Sequence, residues 1–273
     1  MLKFLLILFL FPSTLLFAQT DEFNVVFEVE NANEQDIKLL KILQDQAIFK
    51  KLQDFTANNL KLKADVIYTL HQGNEPFFGP SLNQIFIPYS FLHKVYDDVQ
   101  FKYPQQTEQL EKLFSFAIEK LIWIEFGRVL ISQYDLAISG REEFTLDNFS
   151  TVMLLNLSDL DSEYLLDATE EFLLIDDSSS LMSRISFQSE AEFDEQRYRM
   201  VVCMVLGKDN ESYIELLEEL AWDKKRLLHC REHYQEKMMA WYEALQPFLK
   251  PGNKLDQWVE LIPKAEEPLE NLN

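Results

Sequence analysis

The chain has 273 residues but only six glycines, four histidines and two cysteines, and its 25 basic residues face 46 acidic ones. So few glycines exclude the Gly-rich loops that cradle nucleotide phosphates. No G-x-S-x-G elbow and no arrangement around a nucleophilic cysteine is present. The deficit of positive charge makes nucleic acid and anionic membrane surfaces poor partners, because like charges repel. There is no internal repeat and no low-complexity tract.

What the chain does have begins with a long apolar run. Lys3 supplies a short positive start, Phe4 to Phe17 are apolar at signal-peptide length, and Ala18 before Gln19 is a cleavage point. No cysteine follows the run, which argues against a lipoprotein anchor. The alternative is an uncleaved membrane anchor, for which the run is short. Residues 1–18 are therefore expected to be a signal peptide, 19–250 a domain and 251–273 a polar tail. Loss of Lys3 with the signal leaves 24 basic against 46 acidic residues, a formal charge of −22. The expected location is periplasmic or secreted, with no membrane association after cleavage. In such a compartment Cys203 and Cys230 are candidates for one disulfide; the alternative is two buried free thiols.

Periodicity predicts an α+β fold. Phe23, Val25, Phe27 and Val29 alternate as in a strand. Asn33 to Asn58 has helical spacing through Ile37, Leu40, Leu43, Ala47, Ile48, Leu52 and Phe55, with Asn33 as cap. Ala64 to Leu70 and Gln84 to Pro88 read as further strands, separated by turns at Gly73-Asn74 and Gly79-Pro80-Ser81. The remainder reads as almost wholly helical. Helices are expected over Glu108 to Tyr134, Glu142 to Asn156, Ser162 to Leu174, Glu190 to Leu206, Glu211 to Ala221 and Lys224 to Leu249. A connector lies at Asp176 to Ser180. The expectation is a small N-terminal sheet followed by a helical body.

The long helix contains Ile124-Glu125-Phe126-Gly127-Arg128, and Gly140-Arg141-Glu142-Glu143 follows it. A zinc peptidase carries H-E-x-x-H at such a place, because residues one helical turn apart bring two imidazoles to one ion. The glutamate beside the first histidine then activates the metal-bound water. Here the glutamates are present and both histidines are missing. Ile124 has no lone pair, and Arg128 cannot deprotonate and accepts nothing. Taken alone, Glu125 could be an ordinary helix glutamate. Glu142 and Glu143 open a helix, where negative charge is favoured in any protein.

The surrounding segments give the pattern its context. In order they are Phe77-Phe78-Gly79-Pro80 through Ile85-Phe86-Ile87-Pro88-Tyr89, Glu125-Phe126-Gly127, and Leu136 through Gly140-Arg141-Glu142-Glu143 to Asp147. Then come Asp194-Glu195-Gln196-Arg197-Tyr198 through Cys203 and Gly207, and last Cys230 through Tyr234 and Trp241. Across roughly residues 22–250 this resembles the bacterial putative metallopeptidase family, an exported group of unknown function whose pattern reads H-E-L-G-H and then G-R-E-E-D-x-A-D. The resemblance implies a zincin-like fold and, in the ancestral family, a zinc ion. It implies that Glu125 matches the general base, Glu143 the third zinc ligand and Asp147 the partner behind that ligand. Ile124 and Arg128 stand at the two lost ligand positions, and Ala191 stands where the family has a further histidine. Three imidazoles missing from one pocket look like relaxed selection on catalysis.

A charge argument follows from this placement. Arg128 lies on the face that would meet the metal, so its guanidinium is expected to neutralise Glu143. A rival motif is His229-Cys230-Arg231-Glu232-His233, the inverted H-x-x-E-H pattern. It needs a further glutamate well downstream, and little chain is left for one. Two solvated histidines on a charged helix, or a surface metal site, are the competing readings. His71 and His93 have no partner at ligand spacing and read as loop and helix residues. The expected protein is a zincin-like pseudoenzyme with no zinc cofactor, keeping a cleft for a peptide or protein. Its competitors are a residual zinc-dependent hydrolase and a purely structural envelope protein.

Overall fold

The computed structural model describes residues 23–73, 77–79, 83–104, 107–138, 140–157, 187–208 and 224–260. Strand β1 (Val25–Val29) leads into helices α1 (Glu34–Asp45) and α2 (Ile48–Asn59). Strands β2 (Val66–His71), β3 (Phe77–Gly79) and β4 (Gln84–Pro88) follow. The rest is helical: α3 (Tyr89–Lys102), α4 (Thr107–Tyr134), α5 (Glu142–Leu157), α6 (Phe187–Lys208), α7 (Lys224–Leu245), a 3-10 turn (Gln246–Phe248) and α8 (Lys254–Glu260). This is the α+β arrangement that the periodicity predicts. The expected helices at Ser162 to Leu174 and Glu211 to Ala221, the connector at 176–180 and the signal segment lie outside the described residues.

Strand order is β1-β2-β4-β3, with β1, β2 and β4 parallel and β3 antiparallel on the edge of β4. The sequence marks only a turn at Gly79 and no strand at Phe77 and Phe78, because three residues are too few to show alternation. The single helix expected from Asn33 to Asn58 is two. Asn33 does cap the first, accepting from Gln35 and Asp36 N–H at 2.7 and 3.0 Å while Asp36 accepts from the Asn33 N–H. The break falls at Ala47, whose φ of 55° is left-handed without a glycine or proline to announce it. The bend lets Leu39, Leu40 and Leu43 on one side and Ile48, Leu52 and Phe55 on the other all reach the core, while Ile37 stays 55% exposed.

Helix α4 organises the body. From Leu113 to Gly127 every residue is buried, so its apolar residues cannot sort into one stripe. The Tyr68 hydroxyl donates to the Ile122 carbonyl at 2.8 Å and ties the central strand β2 to it. Trp123 meets Phe55 of α2 and Phe149 of α5, with ring centroids 5.3 and 6.3 Å away, and Phe149 in turn meets Trp241 of α7 at 4.5 Å. The segment read as polar tail contains α8, which docks through buried Leu255 and through Trp258, stacked on Phe55. Backbone bonds from Lys61 N–H to Phe248 O and from Lys250 N–H to Asn59 O, both 2.8 Å, bring that end back to the N-terminal third.

Helices α6 and α7 are joined by a disulfide between Cys203 and Cys230, whose Cα atoms are 4.9 Å apart. Gly207, one turn beyond Cys203, marks the closest approach. A Cβ there would lie 2.2 Å from the Cys230 carbonyl oxygen, a rigid backbone atom. Among the described residues, no helix is long and apolar enough to cross a membrane.

Two perturbations test this joint. Reducing the disulfide, which closes a loop of 27 residues, is expected to lower the unfolding free energy by roughly 3 to 4 kcal/mol. Gly207→Ala is expected to cost about 1–3 kcal/mol by overpacking. Urea denaturation of oxidised, reduced and variant protein reads both, and unchanged midpoints would contradict the close crossing.

Candidate functional site

Lys120, Ile124 and Arg128 are spaced one turn apart on α4 and share a face. That face meets α5, which returns antiparallel after the connection at residues 135–141. The crossing is close because position 127 is glycine. A Cβ at Gly127 would come within 2.7 Å of the Phe149 ring and 3.0 Å of Leu146. Sequence and packing therefore bring the E-F-G segment against the helix that begins with Glu142.

At the outer end, the Arg128 side chain forks between two carboxylates. Its Nε lies 3.2 Å from Glu125 Oε2 and its terminal nitrogen 2.6 Å from Glu142 Oε1. Arg128 is paired, as its position on the metal face suggested, but not with Glu143. The expectation of an Arg128–Glu143 pair is thus corrected to Arg128–Glu142 with Glu125. Glu143 lies in the first turn of α5 with its side chain exposed to solvent.

At the inner end lies a buried charge cluster. Arg197 of α6 donates from Nε to Asp147 Oδ2 at 2.6 Å and from its terminal nitrogen to Oδ1 at 3.4 Å. Lys120, fully buried, places Nζ 3.7 Å from Asp147 Oδ1 and donates to Ser150 Oγ at 3.4 Å. Burial pushes the Lys120 ammonium below the ordinary lysine value; Asp147 pulls it back up and Arg197 pushes it further down. Asp147 does not stand behind Glu143, as its motif position implied. It is the counter-ion of Arg197 and Lys120.

Ile124 sits between these two ends. It is 5% exposed and belongs to the core. The residues here do not fit a zinc ion. Ile124 offers no donor atom, Arg128 accepts nothing, and its guanidinium already bonds Glu125, the carboxylate that would serve a metal-bound water. Among the described residues, no three His, Cys, Asp or Glu side chains converge. Ala191 falls in the first turns of α6.

The histidines are distributed elsewhere. His71 ends β2, with Nδ1 2.9 Å from the Gln72 carbonyl. His93 of α3 pairs through Nε2 with buried Asp36 Oδ1 at 2.7 Å, so it does have a partner, one that sequence spacing did not reveal. Burial pushes the Asp36 carboxyl up, but the Asn33 N–H, His93 and Gln72 outweigh it and hold it below its usual value. His229 and His233 share a face of α7, with ring centroids 6.3 Å apart.

Sequence reading passed over Lys120. Its signal was available: a lysine one turn before Ile124, next to Glu119 and inside an apolar-rich run. A family model described as Putative metallopeptidase matches residues 28–245 of this chain. No curated protein and no solved structure matches it.

The buried cluster gives opposite expectations for its two ends. Asp147→Asn strands two buried cations and is expected to cost about 3–5 kcal/mol. Lys120→Met removes a poorly partnered cation while Asp147 keeps Arg197, so stability at neutral pH is expected to be unchanged or up to about 2 kcal/mol higher. The Lys120 pKa is lowered in the folded state, so below it the buried charge carries its full cost. That cost is relieved as pH rises toward the unfolded value of 10.5. Any gain from Lys120→Met should therefore shrink as pH approaches 10.5. Chemical denaturation at neutral and alkaline pH checks both; a large loss in Lys120→Met would contradict the assignment.

Proposed function

The chain belongs to the putative metallopeptidase family, and from that premise we propose that it is an exported, non-catalytic member. Its zincin-like frame has lost the zinc site and serves as a binding or scaffolding domain for a peptide or protein. The observation that carries this reading is the Arg128 fork. A guanidinium bonded to both Glu125 and Glu142 occupies the place where the family pattern puts a histidine. Glu125, the residue matching the general base, is thereby engaged as the acceptor of an ion pair, beside an isoleucine instead of a metal-bound water.

Two further observations support the reading. Several residues shared with the family pattern pack or pair: Gly127 at the α4–α5 crossing, Asp147 with Arg197, and Cys203, Gly207 and Cys230 at the α6–α7 joint. Those that differ are the imidazole donors, at Ile124, Arg128 and Ala191, while Glu143 is kept. The disulfide supports export, because such bonds persist in oxidising compartments. The apolar N-terminal run followed by Ala18 supports it too.

Purified protein supplied with zinc is expected to cleave casein and mixed peptides no faster than the Glu125→Gln variant. Any zinc it holds is expected to be independent of Glu125. Cleavage above the Glu125→Gln background, or zinc that resists chelation in the wild type and is lost in that variant, would overturn the proposal.

A further inference from the structure

We propose that His229 and His233 form a bidentate site for a borderline divalent cation, zinc or nickel, on α7. The inference rests on residues separate from the α4–α5 joint and stands or falls apart from the reading above. The two imidazoles lie one helical turn apart, the spacing at which two ring nitrogens converge on one ion. Their centroids are 6.3 Å apart and their planes 30° apart. Metal–nitrogen bonds of about 2.1 Å draw two such rings somewhat closer, and the exposed His229 ring is free to turn and close the gap.

The helix under them is held in place. Cys230, next to His229, is bonded to Cys203, and its carbonyl packs against Gly207 of α6. The ion would therefore meet a backbone already fixed, and ligation would order two side chains only. His233 is half-buried. Glu232 and Glu236 add negative charge along the same stretch of helix. Glu236 is also paired to Lys237 at 2.9 Å.

The site differs from a catalytic inverted motif. Among the described residues, no third His, Cys, Asp or Glu joins the pair, so water completes the coordination. Such an open site exchanges its ion readily. Binding only to the folded protein, the ion raises thermal stability by mass action. Nickel binds more tightly than zinc at imidazole ligands when geometry is unconstrained, within the general order of divalent affinities.

Calorimetric titration with zinc chloride and nickel chloride, after chelator treatment, tests this. Wild-type protein is expected to take up one equivalent saturably, with a rise in melting temperature. His229→Ala and His233→Ala should each weaken binding by at least about tenfold, since even partners behind a ligand are worth 10–100-fold. Glu125→Gln should change nothing. Alanine at these helix positions preserves folding, and circular dichroism verifies it. No saturable uptake by wild type, a change of less than about threefold in both histidine variants, or uptake that follows Glu125 instead would each overturn the proposal.

Discussion

A helix buried on all sides must settle each of its charges against a neighbour, and α4 takes Glu119, Lys120, Glu125 and Arg128 into or beside the core. Glu119 reaches Lys51 of α2 at 2.9 Å. Lys120 reaches Asp147 of α5, and Asp147 holds Arg197 of α6. Arg128 bridges Glu125 to Glu142. The contacts of α2, α5 and α6 with α4 thus each satisfy one requirement, that no buried charge be left alone. The sheet joins the same helix by a hydrogen bond, from Tyr68 to the Ile122 carbonyl.

On the reading proposed above, that requirement explains how an arginine could take a metal's place without unmaking the fold. In a zinc site the ion supplies positive charge to the carboxylates of two helices. Here Arg128 supplies it from within α4. The exchange is not equivalent, because a guanidinium donates in a plane and offers no coordination position to water or substrate. It neutralises and closes, where an ion would neutralise and activate.

Much of the scaffold was legible in the sequence and much of the site was not, for different reasons. Strands β1, β2 and β4 announce themselves through apolar alternation, helices α4 and α5 through long apolar-rich runs without proline, and the Cys203–Cys230 pairing through arithmetic on two residues. The break at Ala47 left no trace, since nothing but tertiary packing forces alanine into a left-handed conformation. Partner choice was likewise hidden. Glu142 and Glu143 are adjacent and chemically identical in sequence, and only the rotation of α5 against α4 decides which one meets Arg128. His93 and Asp36 are 57 residues apart, so no local spacing could join them.

The relative strengths of the contacts show what holds the joint. Arg128 and Glu142 are 34% and 40% exposed, and a pair in such surroundings is worth about 0–1 kcal/mol. Phe149, Trp123 and Leu146 are fully buried at the same crossing, and each large apolar side chain contributes about 1.5–3 kcal/mol. The crossing therefore rests on the fit of Phe149 and Leu146 against Gly127, with the ion pair selecting orientation at its rim. A metal at this rim would be needed for chemistry and hardly at all for folding. On the reading proposed above, imidazole ligands could thus be lost there while Gly127 had to stay.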